Sequence, residues 1–255
     1  MREFLSVWPH VSAVTRSFKN YRLTVKDYFS FLPVSGYCAD VAGTPARERI
    51  IVAAERLIAE HGRSVPLRDI AAAAGQRNNS AIQYHFGSRD GLIEAVVEFR
   101  LATLEVRRLE LLAEQAGSHR PPGVHGLLEA LVVPMFELGE RHGIRHYARF
   151  LEQIHPHPAV SDAANLDNAG RTSVRVIMQG LDRELATLPP RLRVRRLRAL
   201  TTMVFALLAD HERAAEAGAA RATDTRAWEE IIDMLAGALT APATTRDALS
   251  HDPMP

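Results

Sequence analysis

The sequence has almost none of the residues that form cross-links, and very little lysine. Cys38 is the only cysteine, and Lys19 and Lys26 are the only lysines. A single cysteine excludes an intramolecular disulfide, which is typical of proteins in a reducing cytosol, so we expect a cytoplasmic location. No apolar run reaches the roughly 18 residues of a membrane-spanning helix, and the N-terminal MREFLSVWPH lacks the continuous apolar core of a secretory signal. The sequence therefore predicts neither a membrane span nor export.

The motifs of several enzyme classes are also missing. The chain contains no GxxxxGKS or GxxxxGKT phosphate loop, no GxSxG nucleophile elbow and no HExxH zinc motif. We therefore predict a protein that is not an enzyme and needs no cofactor. The alternative is a helical enzyme without a recognisable catalytic motif, or a helical interaction module, although no segment repeats at a fixed period as such a module requires. Because 31 basic and 30 acidic residues nearly balance, any basic surface for nucleic acid must be local.

Apolar residues, which are abundant, recur at helical spacing, and no window shows the alternation of a β-strand. The first helix is predicted to begin at Thr44-Pro45, because threonine caps and proline is tolerated in the first turn, and to end at Gly62. Six later amphipathic blocks are predicted at 92–117, 128–135, 144–154, 174–188, 197–211 and 228–239. We expect Pro134 to kink the second block and the run His155–Pro158 to end the third. With two short helices before the long block, the chain is predicted to be all-α with about nine helices.

The stretch from Leu67 to Leu92, LRDIAAAAGQRNNSAIQYHFGSRDGL, combines two short helices with a sharp turn. The first helix is predicted over 64–74 and the second over 80–85, and Gly75 supplies the small residue that two closely approaching helices need. This arrangement predicts a helix-turn-helix, whose second helix lies in the major groove of DNA. The predicted core of the motif consists of Ile70, Gly75, Ile82 and Phe86.

Polar side chains that can contact bases begin the second helix. Asn and Gln pair with adenine in the major groove, and Arg pairs with guanine. A basic residue at the start of the following helix, together with the N–H groups of that helix, can hold a backbone phosphate. The predicted DNA-binding residues are Arg77, Asn78, Asn79, Ser80, Gln83, Tyr84, His85 and Arg89. A plainer interpretation of Asn78 to Ser80, a loop that caps the helix, stays open. Arg47 and Arg49 of the first helix could touch phosphates, but a solvated face is expected for both.

The segment Arg47 to Val97 resembles the DNA-binding domain of the TetR family (tetracycline-repressor-like) of transcriptional regulators. The resemblance lies in the stretches IVAAERLIAEHG, LRDIAAAAG and, most specifically, YHFGSRDGLIEAV, in which Tyr-His-Phe closes the recognition helix and Ser-Arg-Asp begins the next one. The segment that carries the resemblance covers roughly a fifth of the chain. Gln83 stands where the family commonly has tyrosine, and Arg89 where it commonly has lysine.

The resemblance implies a sequence-specific DNA-binding regulator of transcription, a repressor released by a small-molecule effector. It implies a helix-turn-helix domain over 44–104 and a helical effector-binding and dimerisation domain over 105–240. Family members pair through two late helices, here expected at 191–213 and 226–239, and a two-fold homodimer matches a palindromic double-stranded DNA operator. The expected walls of the effector pocket, each of which could equally be ordinary core, are Phe99, Met135, Phe136, Tyr147, Phe150 and Met178.

Three further features complete the expectations. Residues 1–43 are rich in aromatic side chains and lack a helical period, and they are interpreted as a disordered arm, a small packed extension or the product of a wrongly chosen start codon. In the first case its basic residues could touch DNA; these are Arg16, Lys19, Arg22 and Lys26. Residues 241–255 are expected to form a flexible tail. His142 and His146 have the spacing of a metal-binding pair, but no further ligand accompanies them and we predict no metal site.

Overall fold

Every regular element that the structure describes is a helix. The computed structural model describes residues 45–76, 78, 80–116, 122–142, 144–161, 171–218 and 225–243. The helices are α1 (Ala46–His61), α2 (Leu67–Ala73), α3 (Ser80–Phe86), α4 (Arg89–Ala116), α5 (Gly123–His142), α6 (Tyr147–Ile154), α7 (Pro158–Ser161), α8 (Thr172–Glu184), α9 (Pro190–Glu216) and α10 (Thr225–Thr240). These residues include no strand, which confirms the predicted all-α fold. The single turn of α7, just after the predicted stop, was not anticipated.

The first hydrophobic core joins α1 to α4 with α6. Ile50, Ile70 and Ile82 are fully buried in it, and α6 contributes Phe150 and Ile154. Complete burial of such a side chain contributes about 1.5–3 kcal/mol. Because α6 lies far along the chain, its packing on α1 attaches the later helices directly to the helix-turn-helix.

The second core lies among α5, α8, α9 and α10 and also receives the C-terminal half of α4. Leu128, Ile177 and Leu235 are buried at its centre. The helices α9 and α10 run antiparallel, since Arg196 near the start of α9 donates a hydrogen bond of 2.6 Å to the carbonyl of Leu239 at the end of α10. The long helix α4 therefore extends from the first core into the second.

Two helices, α2 and α6, begin later than predicted. α2 begins at Leu67 instead of residue 64, because Pro66 immediately before it has an extended backbone (φ −61°, ψ 138°). α6 begins at Tyr147 instead of residue 144, because Ile144 is used in the preceding loop, where it is buried and its N–H donates to the carbonyl of Leu138. α5 is continuous across Pro134.

Several predictions concern residues outside the described ranges. These are the 1–43 segment with its basic residues, most of the 241–255 tail, Arg77, Asn79 and the side chain of His142. Within the described ranges, no group of three or more His, Cys, Asp or Glu side chains is placed to hold a metal ion. No helix in the same ranges is both long and apolar enough to cross a membrane.

Candidate nucleic-acid interface

A glycine closes α2 and turns the chain toward α3. Gly75 has φ +70°, a left-handed conformation that glycine adopts without strain. The N–H groups of Gly75 and Gln76 donate to the carbonyls of Ala72 and Ala71, at 3.0 and 2.9 Å, and so complete the end of α2. The chain then re-enters helix at Ser80, which makes α2 and α3 the two helices of the predicted motif.

The inner side of α3 is held by the first core. Ile70 and Ile82 are fully buried, whereas Phe86 is half-buried at the edge of the core and lies 5.3 Å below the guanidinium of Arg47. Arg49 donates from Nε to the carbonyl of Ala74 at 3.3 Å. Arg47 is exposed, as expected, and Arg49 is half-buried; each also contacts the motif from α1.

The outer side of α3 carries the polar residues that the sequence singled out. Ser80 and Gln83 are exposed, and Tyr84 is 85 % exposed, the most open of the large apolar side chains. His85 is half-buried. Asn78 lies at the entry of the helix, and its Oδ1 accepts the N–H of Ser80 at 3.0 Å. Asn78 thus caps α3, which leaves only its amide NH₂ for an outside partner.

The junction between α3 and α4 depends on a residue that the sequence interpretation did not identify. A Cβ atom at Gly91 would lie 2.2 Å from the carbonyl oxygen of Phe86, so only glycine allows α4 to start against the end of α3. Ser88 caps α4, since its Oγ accepts the N–H of Gly91 at 2.9 Å. Arg89 is tied to the loop after α1 by a 2.9 Å hydrogen bond from Nη1 to the carbonyl of Arg63. The sequence signal that could have identified Gly91 is a glycine in the first turn of a predicted helix.

A buried ion pair connects the helix-turn-helix to α4 and α6. Glu55 of α1 is fully buried, and its Oε2 lies 2.5 Å from Nε of Arg100 on α4. Its Oε1 lies 3.3 Å from Nε2 of His146, which directly precedes α6. Burial by itself would raise the pKa of Glu55, but Arg100 and His146 together hold that pKa below its usual value. Glu55 is therefore a buried carboxylate with one partner on α4 and another in the residue that directly precedes α6.

A second histidine–carboxylate pair lies beyond the other end of α6. The imidazole of His157 is buried, and its Nε2 lies 3.3 Å from Oδ1 of Asp90 in the first turn of α4. Its Nδ1 accepts the N–H of Ala159 at 3.1 Å, so the proton of the neutral ring is on Nε2 and points at Asp90. Both flanks of α6 thus contact the DNA-binding helices, through Glu55 at one end and Asp90 at the other.

A cavity opens between α5, α6 and α9. Its internal volume is about 30 Å³, room for a few water molecules, and it is open to solvent on one side. Its walls are formed by Met135, Phe136, Ile144, Arg145, Tyr147, Ala148, Leu208, His211, Glu212 and Ala215. Three of the six residues expected in an effector pocket line it, namely Met135, Phe136 and Tyr147. The other three do not: Phe99 and Phe150 belong to the first core and Met178 packs against the second.

Among the described residues that line this cavity, Glu212 is the one carboxylate. Its two oxygens accept the N–H groups of Ala148 and Arg149, at 2.9 and 3.0 Å, in the first turn of α6. Burial raises the pKa of Glu212 to about 7, although these two N–H groups and the Arg149 guanidinium all lower it. The cavity therefore contains a carboxylate that is poorly compensated and that caps α6.

The two late helices expose several apolar and small side chains. Val194 on α9 is 53 % exposed and Met234 on α10 is 51 % exposed. Ala206 and Ala238 are exposed as well, so they are available for close approach of another helix. Other alanines of these helices, such as Ala209 and Ala236, are buried within the chain and serve its own core.

Comparisons with known proteins agree with this arrangement. Residues 50–96 match the family model for bacterial regulatory proteins of the tetR family, and residues 129–241 match that of the tetracyclin repressor-like C-terminal domain. A TetR family transcription regulator from Marinobacter aquaeolei VT8 is 17 % identical, with 76 % of this chain and 94 % of that chain covered and a TM-score of 0.51. That likeness shows the fold alone.

A putative transcriptional regulator from Rhodococcus sp. RHA1 is 20 % identical and has a TM-score of 0.37. The match covers 80 % of this chain and 100 % of that chain. No curated protein matches the chain. The two family models together span the helix-turn-helix and the helices that form the second core. The chain therefore belongs to the TetR family of bacterial regulatory proteins.

Proposed function

We propose that this protein is a homodimeric repressor of transcription that binds a palindromic operator through α3 and is released by a small molecule in the cavity between α5, α6 and α9. The proposal assigns 44–104 to DNA binding and 105–240 to effector binding and dimerisation. TetR-family regulators are generally not enzymes, and no catalytic step forms part of the proposal.

The observation that carries the DNA-binding role is the two-sided character of α3. Ile82 anchors the inner side in the core, while Ser80, Gln83 and Tyr84 face outward into solvent. A tyrosine that is 85 % exposed leaves a large apolar ring in water, which is costly unless a partner covers it. A major groove offers phosphates to its hydroxyl and thymine methyl groups to its ring.

The phosphate contact assigned to Arg89 is compatible with its position. One nitrogen of its guanidinium holds the loop at Arg63, and a guanidinium has further N–H groups to donate. The start of α4 beside it offers backbone N–H groups, although Ser88 already satisfies that of Gly91. We expect Arg89 to position the protein on the duplex without selecting a base.

Dimerisation is assigned to the exposed sides of α9 and α10. Two-fold pairing would place Val194, Met234, Ala206 and Ala238 of one protomer against the same surface of the other, since a two-fold interface is isologous. The half-site spacing of the operator then follows from the separation of the two α3 helices.

The direct test measures binding to the duplex that lies upstream of the protein's own gene. The expected result is a preference for it over a shuffled duplex of equal composition by at least about a thousandfold, with affinity falling steeply as salt rises. The shuffled duplex is the control for purely electrostatic binding. Equal affinity for both duplexes at every salt concentration would contradict the proposal.

A further inference from the structure

The outward side of α3 carries uncharged polar side chains. Ser80, Gln83 and Tyr84 lie three and four residues apart, so they share one face of the helix, and all three are exposed. Two arginines lie at the C-terminal end of α3 instead. Arg47 covers the ring of the last residue of α3, and Arg89 is in the first turn of α4. This face therefore offers hydrogen bonds to base edges, and contacts with phosphates are left to the arginines beside it.

Three amide side chains occur in the described part of the helix-turn-helix, and two of them are engaged with the backbone of their own chain. Nε2 of Gln76, which is half-buried, donates to the carbonyl of Ala74 at 3.3 Å. Oδ1 of Asn78 accepts the N–H of Ser80 at 3.0 Å. The third amide, that of Gln83, makes no hydrogen bond within the described chain and is exposed to solvent. Of the three, only Gln83 has both its amide oxygen and its amide nitrogen unengaged.

We propose that Gln83 selects an adenine in each half-site of the operator and determines specificity at that base pair. In the major groove, adenine presents the acceptor N7 beside the N6 amino donor, a combination that the other three bases lack. Nε2 of Gln83 donates to N7, while Oε1 accepts from N6. Gln83 lies one turn from the start of α3 at Ser80, so it belongs to the part of a recognition helix that meets base edges. The inference rests on the proposed function and names a base that the operator contains.

The first test selects binding sequences from a pool of duplexes with a randomised segment, using the full-length wild-type protein and Gln83→Ala in parallel. We expect the wild type to enrich a palindromic motif with one adenine in each half-site that Gln83→Ala no longer prefers. The other positions of the motif should be unchanged, because an exposed side chain that contacts one base pair affects the choice of that base pair alone. A motif with the same base preferences in both proteins overturns the proposal.

Affinities for two defined duplexes measure the size of the effect. The selected duplex is compared with one in which guanine replaces that adenine, with its complement, in both half-sites. The wild type should prefer the adenine duplex by about tenfold to a hundredfold, which is the preference that a well-formed bidentate pair provides. Gln83→Ala should bind the two duplexes with affinities within about threefold of each other. If Gln83→Ala keeps the preference of the wild type, the adenine is read by another residue and the proposal is overturned.

Two further variants separate a base contact from a structural role. Gln83→Glu replaces the amide by a carboxylate that only accepts hydrogen bonds, so it should prefer cytosine, whose N4 amino group donates, over adenine at the same position. Loss of structure cannot produce a new preferred base, and a retained preference for adenine over cytosine in Gln83→Glu overturns the proposal. Gln179→Ala removes the same side chain from an exposed site on α8 and should change neither the motif nor the affinities.

Failure of the inference and failure of the proposed function give different results. If the wild type enriches no motif, the protein does not read a DNA sequence, which contradicts the proposed function and the inference with it. If a motif is enriched but Gln83→Ala weakens binding to the adenine and guanine duplexes equally, Gln83 contacts the backbone of the duplex. That second result overturns the inference alone and leaves the sequence-specific regulator in place.

Discussion

Replacing Glu212 by glutamine should flatten the dependence of stability on pH. In the folded protein, burial raises the pKa of Glu212 to about 7, compared with 4.5 for a solvated glutamate. The folded state therefore binds this proton more tightly than the unfolded state does. The contribution of Glu212 to stability is fully retained below about pH 4.5 and is lost as the pH rises through about 7.

The size of the effect follows from the difference between the two pKa values. A difference of about 2.5 units corresponds to about 3 kcal/mol of destabilisation when Glu212 is fully ionised. About 2 kcal/mol of this destabilisation develops between about pH 5.5 and pH 8. The rest has already developed below about pH 5.5, because the carboxyl group of the unfolded state ionises there first. The side chain is 15 % exposed, so solvent screening reduces the figure little.

The measurement is the free energy of unfolding in urea at several pH values between these limits. The wild-type protein should lose about 2 kcal/mol more stability across the range than Glu212→Gln, which corresponds to about 4–8 °C in melting temperature. Groups that titrate in both proteins cancel in this comparison. The amide also leaves one N–H group of α6 without its acceptor, a cost of about 1 kcal/mol that does not depend on pH.

The control is Glu184→Gln, whose exposed side chain should give a curve parallel to that of the wild type. Parallel curves for the wild type and Glu212→Gln would refute the reasoning, because they would mean that desolvation does not outweigh the two N–H groups and Arg149. If Glu212→Gln lost stability more steeply with rising pH than the wild type, the reasoning would be refuted as well. That result would mean that the folded state lowers the pKa of Glu212.

Four other changes test the remaining contacts. Tyr84→Ala should weaken operator binding by about 1–3 kcal/mol with an unchanged urea midpoint, since the side chain is 85 % exposed; a lowered midpoint would mean that the ring packs in the fold. Gly91→Ala should destabilise the protein by about 1–3 kcal/mol in thermal unfolding, because its Cβ would meet a carbonyl at 2.2 Å, and an unchanged melting temperature would contradict this. Arg100→Met should cost about 3–5 kcal/mol in urea unfolding, because it leaves the buried Glu55 without the guanidinium that pairs with it, and the loss should shrink when Glu55→Gln is added. Met234→Arg should convert a dimer to monomers in sedimentation velocity, because two-fold symmetry places the new charge in the interface twice, and a retained dimer would exclude this side of α10.

Local rules predicted the elements well, because each depends on a short stretch of chain. The spacing of Ile50, Ala54 and Ile58 gives α1 an apolar stripe, and Gly75 in a left-handed conformation separates α2 from α3. The predicted core residues Ile70 and Ile82 are fully buried for the same reason. Short-range rules were less accurate at Pro66, whose backbone is extended, and at Ile144, which is buried in the loop before α6.

The cavity was only partly predictable, because its walls come from three helices that are distant in sequence. Aromatic and methionine residues at helical spacing indicate an apolar interior, but they do not distinguish a cavity wall such as Phe136 from a core residue such as Phe150. Glu212 gave no signal in the sequence, since a glutamate near the end of an amphipathic helix is usually solvated. Its burial results from the position of α6, which presents two free N–H groups to it.

The sequence by itself determined the all-α fold, the helix-turn-helix and the family, because these depend on periodicity, on Gly75 and on the run YHFGSRDGL, all of which are local. Only the tertiary structure decided which charged groups are buried together. Glu55, Arg100 and His146 are 45 and 46 residues apart along the chain, and Asp90 and His157 are separated still further, so no spacing rule relates them. Their pairing depends on how α6 packs on α1 and α4, and that packing is set by the summed burial of many apolar side chains. Burial removes water from Glu55, so its carboxylate depends on the partners that this packing brings to it.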